Sequence, residues 1–183
     1  MYDKTFKMIT VNKFKNIKFS WWQLALIAVA ASAVGGLSSM RSSKKEKGLY
    51  NKDLKQAPWA PPAWLFAPAW TINNLFLLLA LQRLLHSDMP EKKKLIIRQA
   101  IIWMIFFSFG YVYFNKKSPL LAAAWTITDA VLAGSSLMIA YKKDKRLSAN
   151  YLPLLVWTSF ASSLAIYQAL KNDDPVIGTK AVL

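Results

Sequence analysis

Five predominantly apolar stretches, at about 19–40, 62–85, 95–114, 119–141 and 150–170, divide this chain. Each approaches the roughly 20 residues needed to cross the hydrocarbon core of a bilayer. Backbone polar groups find no water there, so segments of this kind are confined to helices packed against one another. The connections are short except for residues 41–61, and 183 residues leave no room for a separate soluble domain. The expected fold is an all-α integral membrane protein, a bundle of five transmembrane helices. A basic segment at 1–18 precedes the bundle at 19–170, and a tail at 171–183 follows it.

The arrangement of charge disposes of a competing reading. The chain carries 24 Lys+Arg against 9 acids, a formal charge of +15 that would suggest nucleic-acid binding in a soluble protein. Nucleic-acid binders gather their cations on one face or in a tail around an ordinary core. Here the cations form short clusters, such as Lys92–Lys94 and Lys142/Lys143/Lys145/Arg146, at the ends of apolar runs. That is the pattern of membrane spans with cationic flanks, so membrane lipid is the expected environment and no nucleic acid is expected. With span-end residues counted in their loops, the N-terminal side holds fourteen basic residues and the other side ten. The positive-inside rule then favours a cytoplasmic N-terminus, in a multi-pass protein of a bacterial cell membrane. The absence of cysteine and the single His86 exclude disulfides, thiolate sites and multi-histidine sites, so no metal and no required cofactor are expected.

Ala31-Ser32-Ala33 resembles a signal-peptidase site, but the apolar character continues through Leu37 and the basic region before it is long. The first span therefore reads as retained. Ala28, Ser32 and Gly36 recur every four residues, as do Ala31, Gly35 and Ser39. Small-residue stripes of this kind let helices approach closely. Two of them exceed what one neighbour requires, so a homodimer is expected.

The second span opens with "PWAPPAWLFAPAW" at 58–70, four prolines and three tryptophans in thirteen residues. Pro61 and Pro62 are compatible with a first turn, which has no partner for its N–H groups. Pro68 lies a turn further in, where a bend is expected, with the broken turn facing protein. Stepping 100° per residue places Ala63, Phe66, Trp70, Asn73, Asn74 and Leu77 on one side. Two amides at membrane depth are costly against lipid, so this side should face the interior. Trp59 and Trp64 suit the interface, whereas Trp70 fits either core packing or a ligand wall. In the fifth span Trp157, Ala161, Leu164 and Gln168 fall on one face, the small Ala161 leaving room beside the indole. Asp129, the acid well inside the fourth span, should face protein or a cavity, as a packing hydrogen bond or as a ligand contact.

"LYNKDLKQAPWAPPAWLFAPAWT" (49–71) resembles the loop and second-helix signature of the translocator protein/TspO family, the tryptophan-rich sensory proteins or peripheral benzodiazepine receptors. Tyr50, Leu54, Pro58, Trp59, Pro61, Pro62, Trp64, Pro68 and Trp70 all fit it. "YLPLLVWTSFASSL" (151–164) resembles the family's fifth helix through Pro153, Trp157, Phe160, Ala161 and Leu164. The resemblance implies a partly ordered 1–2 loop, with Leu49, Tyr50 and Leu54 turned inward, folded over an intramembrane pocket for porphyrins, haem-related tetrapyrroles or other flat apolar ligands. The candidate site draws on Phe66, Trp70, Asn73, Asn74, Asp129, Trp157, Phe160 and Ala161. Of these the resemblance implies Trp70 and Trp157 as the pocket indoles and Ala161 as the small pocket residue, and the two indoles are candidates for a redox role.

Three positions depart from the family pattern. Asn74 stands where a Tyr is usual, an apolar residue near Phe106 replaces a third-helix Asn, and Ala165 replaces the Asn of a fifth-helix Leu-Asn pair. The leading expectation is a membrane receptor or carrier for tetrapyrroles, with a role in tetrapyrrole or stress regulation. The alternatives are light- or oxygen-dependent breakdown of the bound ring, and a small transporter with Asp129 as coupling group.

Overall fold

The computed structural model describes residues 18–37 and 54–183. The helices are α1 (Trp21–Leu37), α2 (Phe66–Leu85), α3 (Lys92–Gly110), α4 (Pro119–Tyr141), the short α5 (Lys145–Ala149) and α6 (Leu152–Lys171). A 3₁₀ turn at Ala63–Leu65 leads into α2, and a π turn at Tyr111–Asn115 closes α3. Four helical stretches, Ala63–Leu85, Lys92–Asn115, Pro119–Tyr141 and Lys145–Lys171, are long and apolar enough to cross a membrane. At 17 residues α1 is shorter, about 26 Å at 1.5 Å per residue. Together they form the expected five-helix membrane bundle, with α5 as a foot before the last span.

Its proline-rich entry solves the helix-start problem in two steps. Pro62 is extended at ψ 142° and caps the 3₁₀ turn, which closes through Leu65 N–H donating to the Pro62 carbonyl at 3.0 Å. The α-helix proper begins only at Phe66, so Pro68 falls within its first turn. Its missing N–H therefore removes no ladder bond there. The irregularity expected around Pro68 appears as this change from 3₁₀ to α.

Most apolar side chains of α1 point outward, and only Leu24, Ala28 and Gly35 are buried. Hydrocarbon tails are as apolar as leucine, so such a helix is held by close approach and by polar contacts. Close approach comes at Gly35, where a Cβ would stand 2.6 Å from Phe106 Cζ of α3. The polar contact is Asn74 Nδ2 donating to Ser32 Oγ at 3.0 Å, while Ser32 donates to the Ala28 carbonyl at 2.8 Å. Part of the small-residue stripe on α1 thus serves packing within one chain, and Ser39 lies outside the described residues. Gln99 of α3 donates to the Leu77 carbonyl of α2. The most extensive helix packing is α4 against α6, where Ala133 and Ala140 of α4 and Leu154 of α6 belong to one buried core cluster.

The residues after α6 fold back onto the start of α4. Ser118 caps α4 by accepting from Leu121 N–H, and Pro119 occupies the first turn. Asp174, 3% exposed, accepts from Ser118 Oγ at 2.6 Å and from Leu120 N–H at 2.9 Å. Its other oxygen accepts from Val176 and Ile177 N–H, both at 2.9 Å. Burial by itself would push this carboxyl up, but the bonds from Ser118, Ile177, Leu120 and Val176 outweigh it and hold it below the usual carboxylate range.

Candidate ligand cavity

A cavity of about 530 Å³ opens among α1, α2, α3, α4 and α6, within the size range of sites for drug-sized ligands. Its walls are aromatic on two sides, with Phe66 and Trp70 from α2, Phe106 and Phe109 from α3 and Tyr113 from the π turn that closes α3. Small residues widen it elsewhere, Gly35 and Gly36 on α1 and Ala161 and Ala165 on α6. The rings support one another. Trp70 lies 5.3 Å from Phe106, tilted by 50°, and Trp103 meets Phe106 edge-on at 5.8 Å. Such pairs are worth about 0.5–1.5 kcal/mol beyond the area they bury, so the wall around Trp70 is set before any ligand arrives.

One end of the cavity is polar. Gln168 of α6 lines it and donates through Nε2 to Gln56 Oε1 of the 1–2 connection at 2.5 Å. Tyr113 lies beside these two amides. Its hydroxyl and the Gln56 amide nitrogen are buried, and neither makes a hydrogen bond of ordinary length and geometry among the described residues. Further contacts fasten the same connection to α6. Lys55 N–H donates to Asn172 Oδ1 at 2.7 Å, and Asn172 Nδ2 returns a bond to the Lys55 carbonyl at 3.2 Å. Trp59 Nε1 donates to Ser163 Oγ at 3.2 Å, and its ring meets Tyr167 edge-on at 5.4 Å. Residues 54–60 therefore form a strap over the C-terminal end of α6. Leu49 and Tyr50, expected to turn toward the pocket, lie outside the described residues.

Of the residues expected at the site, Phe66, Trp70 and Ala161 line the cavity. Asn73 and Asn74 are buried at 2% and 0% exposure but stand off the lining, Asn74 being engaged with Ser32. Asp129 is 1% exposed, also off the lining, with Oδ1 unpartnered among the described residues. Trp157 stands behind Phe66, edge-on at 5.4 Å, and Phe160 touches Trp157 at 6.0 Å. Trp157 and Phe160 thus form a backing layer off the lining, and of the two expected pocket indoles Trp70 reaches the cavity directly. Phe109 and Tyr113 line the wall without having been singled out for the site, because aromatic residues in an apolar run carry no mark of which face they occupy. No cluster of His, Cys, Asp or Glu suited to a metal occurs among the described residues. The arrangement can enclose a flat apolar molecule, stack it on aromatic faces and meet a polar edge at the strap.

Residues 24–170 match the model of the TspO/MBR family. The chain belongs to that family. It is similar to the tryptophan-rich protein TspO of Chlorobaculum tepidum, at 28% identity over 143 residues, covering 77% of this chain and 90% of that protein. The TspO/MBR match begins at Leu24 in α1 and ends at Leu170 in α6, so it takes in parts of all five membrane helices and every residue lining the cavity. Long apolar helices, family membership and the bacterial relative agree on an integral, multi-pass membrane protein.

Proposed function

We propose that this protein is a membrane receptor for tetrapyrroles, taking a porphyrin-like ring into the cavity beneath the 54–60 strap. The observation that carries the reading is a cavity walled by aromatic rings, with the Tyr113 hydroxyl and the Gln168 amide on its lining at the strap end. A flat conjugated macrocycle gains from stacking against Trp70 and the Phe106 cluster. A carboxylate at its edge would supply an acceptor for the Tyr113 hydroxyl, a buried donor on the lining that makes no close hydrogen bond among the described residues. Membership of the TspO/MBR family supports the same class of ligand.

The test is absorbance titration of purified protein with a panel of porphyrins, in the dark and under illumination. Saturable one-to-one binding is expected for rings bearing edge carboxylates, with weaker binding of their esters. No saturable binding across the panel, or identical affinity for acids and esters, would overturn the assignment. The illuminated arm separates a receptor from a protein that degrades its ligand. Trp70, against the bound ring, is the indole placed to pass an electron to an excited porphyrin.

A further inference from the structure

At the opposite end of the bundle from the strap, a second crevice of about 660 Å³ lies between the chain entering α1, the end of α2 and the α4–α6 connection. Lys18, Arg83, His86 and Arg146 line it, with Asp144 as its one carboxylate and Leu79 as an apolar wall. The strand carrying Lys18 is fixed in place. Gln82 Oε1 accepts from Phe19 N–H at 2.7 Å, and Gln82 Nε2 donates to the Phe19 carbonyl at 3.1 Å.

Asp144 does not neutralise this crevice. One of its oxygens accepts from Arg83 Nε at 2.6 Å, and the other accepts from Arg146 and Leu147 N–H, both at 3.0 Å. That contact uses one of the five N–H donors of Arg83, leaving the terminal nitrogens with four. Lys18 and the Arg146 guanidinium have no carboxylate partner among the described residues. His86 engages the Gln82 carbonyl through Nδ1 at 2.7 Å, and its buried Nε2 has no partner among the described residues. Three permanent cations thus face one carboxylate that is already bound.

The height of the crevice identifies what meets it. Trp21 and Trp22, in the first turn of α1, and Tyr141, in the last turn of α4, are exposed. Indoles and phenols in this position mark the headgroup level of a bilayer. Lys18 is three residues before Trp21, and Asp144 and Arg146 follow closely on Tyr141. Basic pockets between helices at this depth are suited to anionic headgroups. We propose that this crevice binds the phosphate of an anionic phospholipid headgroup, with Lys18, Arg146 and the free edge of Arg83 as the cationic contacts.

The test uses the full chain in detergent micelles, with binding of phosphatidylglycerol, phosphatidylcholine and inorganic phosphate followed by native mass spectrometry. Wild type should bind phosphatidylglycerol saturably and in preference to phosphatidylcholine. A Lys18→Gln/Arg146→Gln variant leaves the Arg83–Asp144 pair intact and should bind it about thirtyfold more weakly, two surface cations' worth. A Lys142→Gln/Lys143→Gln variant removes equal charge from the same end but outside the crevice, and should change affinity by less than about threefold. A charge-keeping Lys18→Arg/Arg146→Lys variant should bind as wild type. Equal binding of the two lipids, or equal loss in both glutamine variants, would overturn the site. Inorganic phosphate that displaces the lipid stoichiometrically at equal concentration would overturn the lipid as its occupant.

Discussion

Replacing Asp174 by Asn tests how the chain's last turn is held to the start of α4. The carboxylate accepts four hydrogen bonds, Ser118 Oγ and Leu120 N–H on one oxygen and Val176 and Ile177 N–H on the other. An amide has one acceptor oxygen; with that oxygen toward Val176 and Ile177, its NH₂ group confronts Leu120 N–H while the Ser118 hydroxyl can turn to accept from it. One bond is lost outright and the other three lose their charge assistance, from about 1.5–3 kcal/mol each to about 1 kcal/mol. Water at the membrane surface recovers part of this, leaving a net loss of about 2–4 kcal/mol. The loss is local, so it should appear as faster amide exchange rather than as unfolding of the bundle. At about 1.4 kcal/mol per tenfold, protection of peptides spanning 118–122 and 174–183 should fall by about 30- to 700-fold. Hydrogen-exchange mass spectrometry in nanodiscs reads this directly. The same bond set predicts an acid dependence. The folded carboxyl is held below its ordinary value by hydrogen bonds that outweigh the opposing effect of burial. Its stabilisation is therefore complete above the unfolded value of about 3.9 and is lost as pH falls through the folded value. Asp173 titrates in the same turn, held down by Lys180 at 2.8 Å and by Ala181 N–H, so the acid arm belongs in an Asp173→Asn background. There, protection corrected for intrinsic exchange should be level from about pH 7 to 5 and drop below about pH 4, whereas adding Asp174→Asn should flatten the profile. Protection within threefold of wild type in the single variant, or an acid drop that survives Asp174→Asn, would refute this account.

Gly35→Ala should drive the Phe106 ring toward Trp70, because the new Cβ would start 2.6 Å from Phe106 Cζ; porphyrin affinity measured by titration should fall about tenfold, and Phe106→Leu in the same chain should restore it. Gln168→Leu removes the Gln56 contact and should speed ligand dissociation in stopped flow about tenfold, one hydrogen bond's worth, with a smaller change in association. Trp70→Phe keeps most of the stacking area, so affinity should stay within about tenfold while light-dependent loss of the bound porphyrin band falls sharply. Trp157→Phe, one ring removed from the cavity behind Phe66, should change photobleaching far less than Trp70→Phe does; equal effects would show that both indoles reach the ligand.

The spans were legible because apolar length is a one-dimensional property, and the burial of Asn73 and Asn74 followed from helical stepping and the cost of amides in lipid. Phe66, Trp70 and Ala161 at the cavity followed from the same stepping together with the family motif. Trp157 shows the limit of that method. Four residues of helix make an angle of 400°, so Trp157 and Ala161 differ by about 40° in direction and a full turn in height, enough to put the indole behind Phe66 instead of at the cavity. The contacts of Asp174 and the Gln56–Gln168 pair join residues 54–56 and 112 positions apart, and polar side chains in loops have no period that could announce a distant partner. Only their local halves could be read, in Ser118 before Pro119 as a helix start and in the Asp-Asp-Pro run as a turn.

The cavity takes its walls from Val29 near the beginning of the bundle to Gln168 near its end. A chain emerging from the ribosome and inserting helix by helix has no such cavity until α6 is in place. At roughly 5–20 residues per second, α1 waits on the order of ten seconds for the segment that completes its wall. The strap at 54–60 likewise has nothing to fasten to until Ser163, Gln168 and Asn172 arrive. Under the proposed function, a nascent or truncated chain would leave free porphyrin alone, so ligand capture in cells would report that synthesis and insertion have run to the last span.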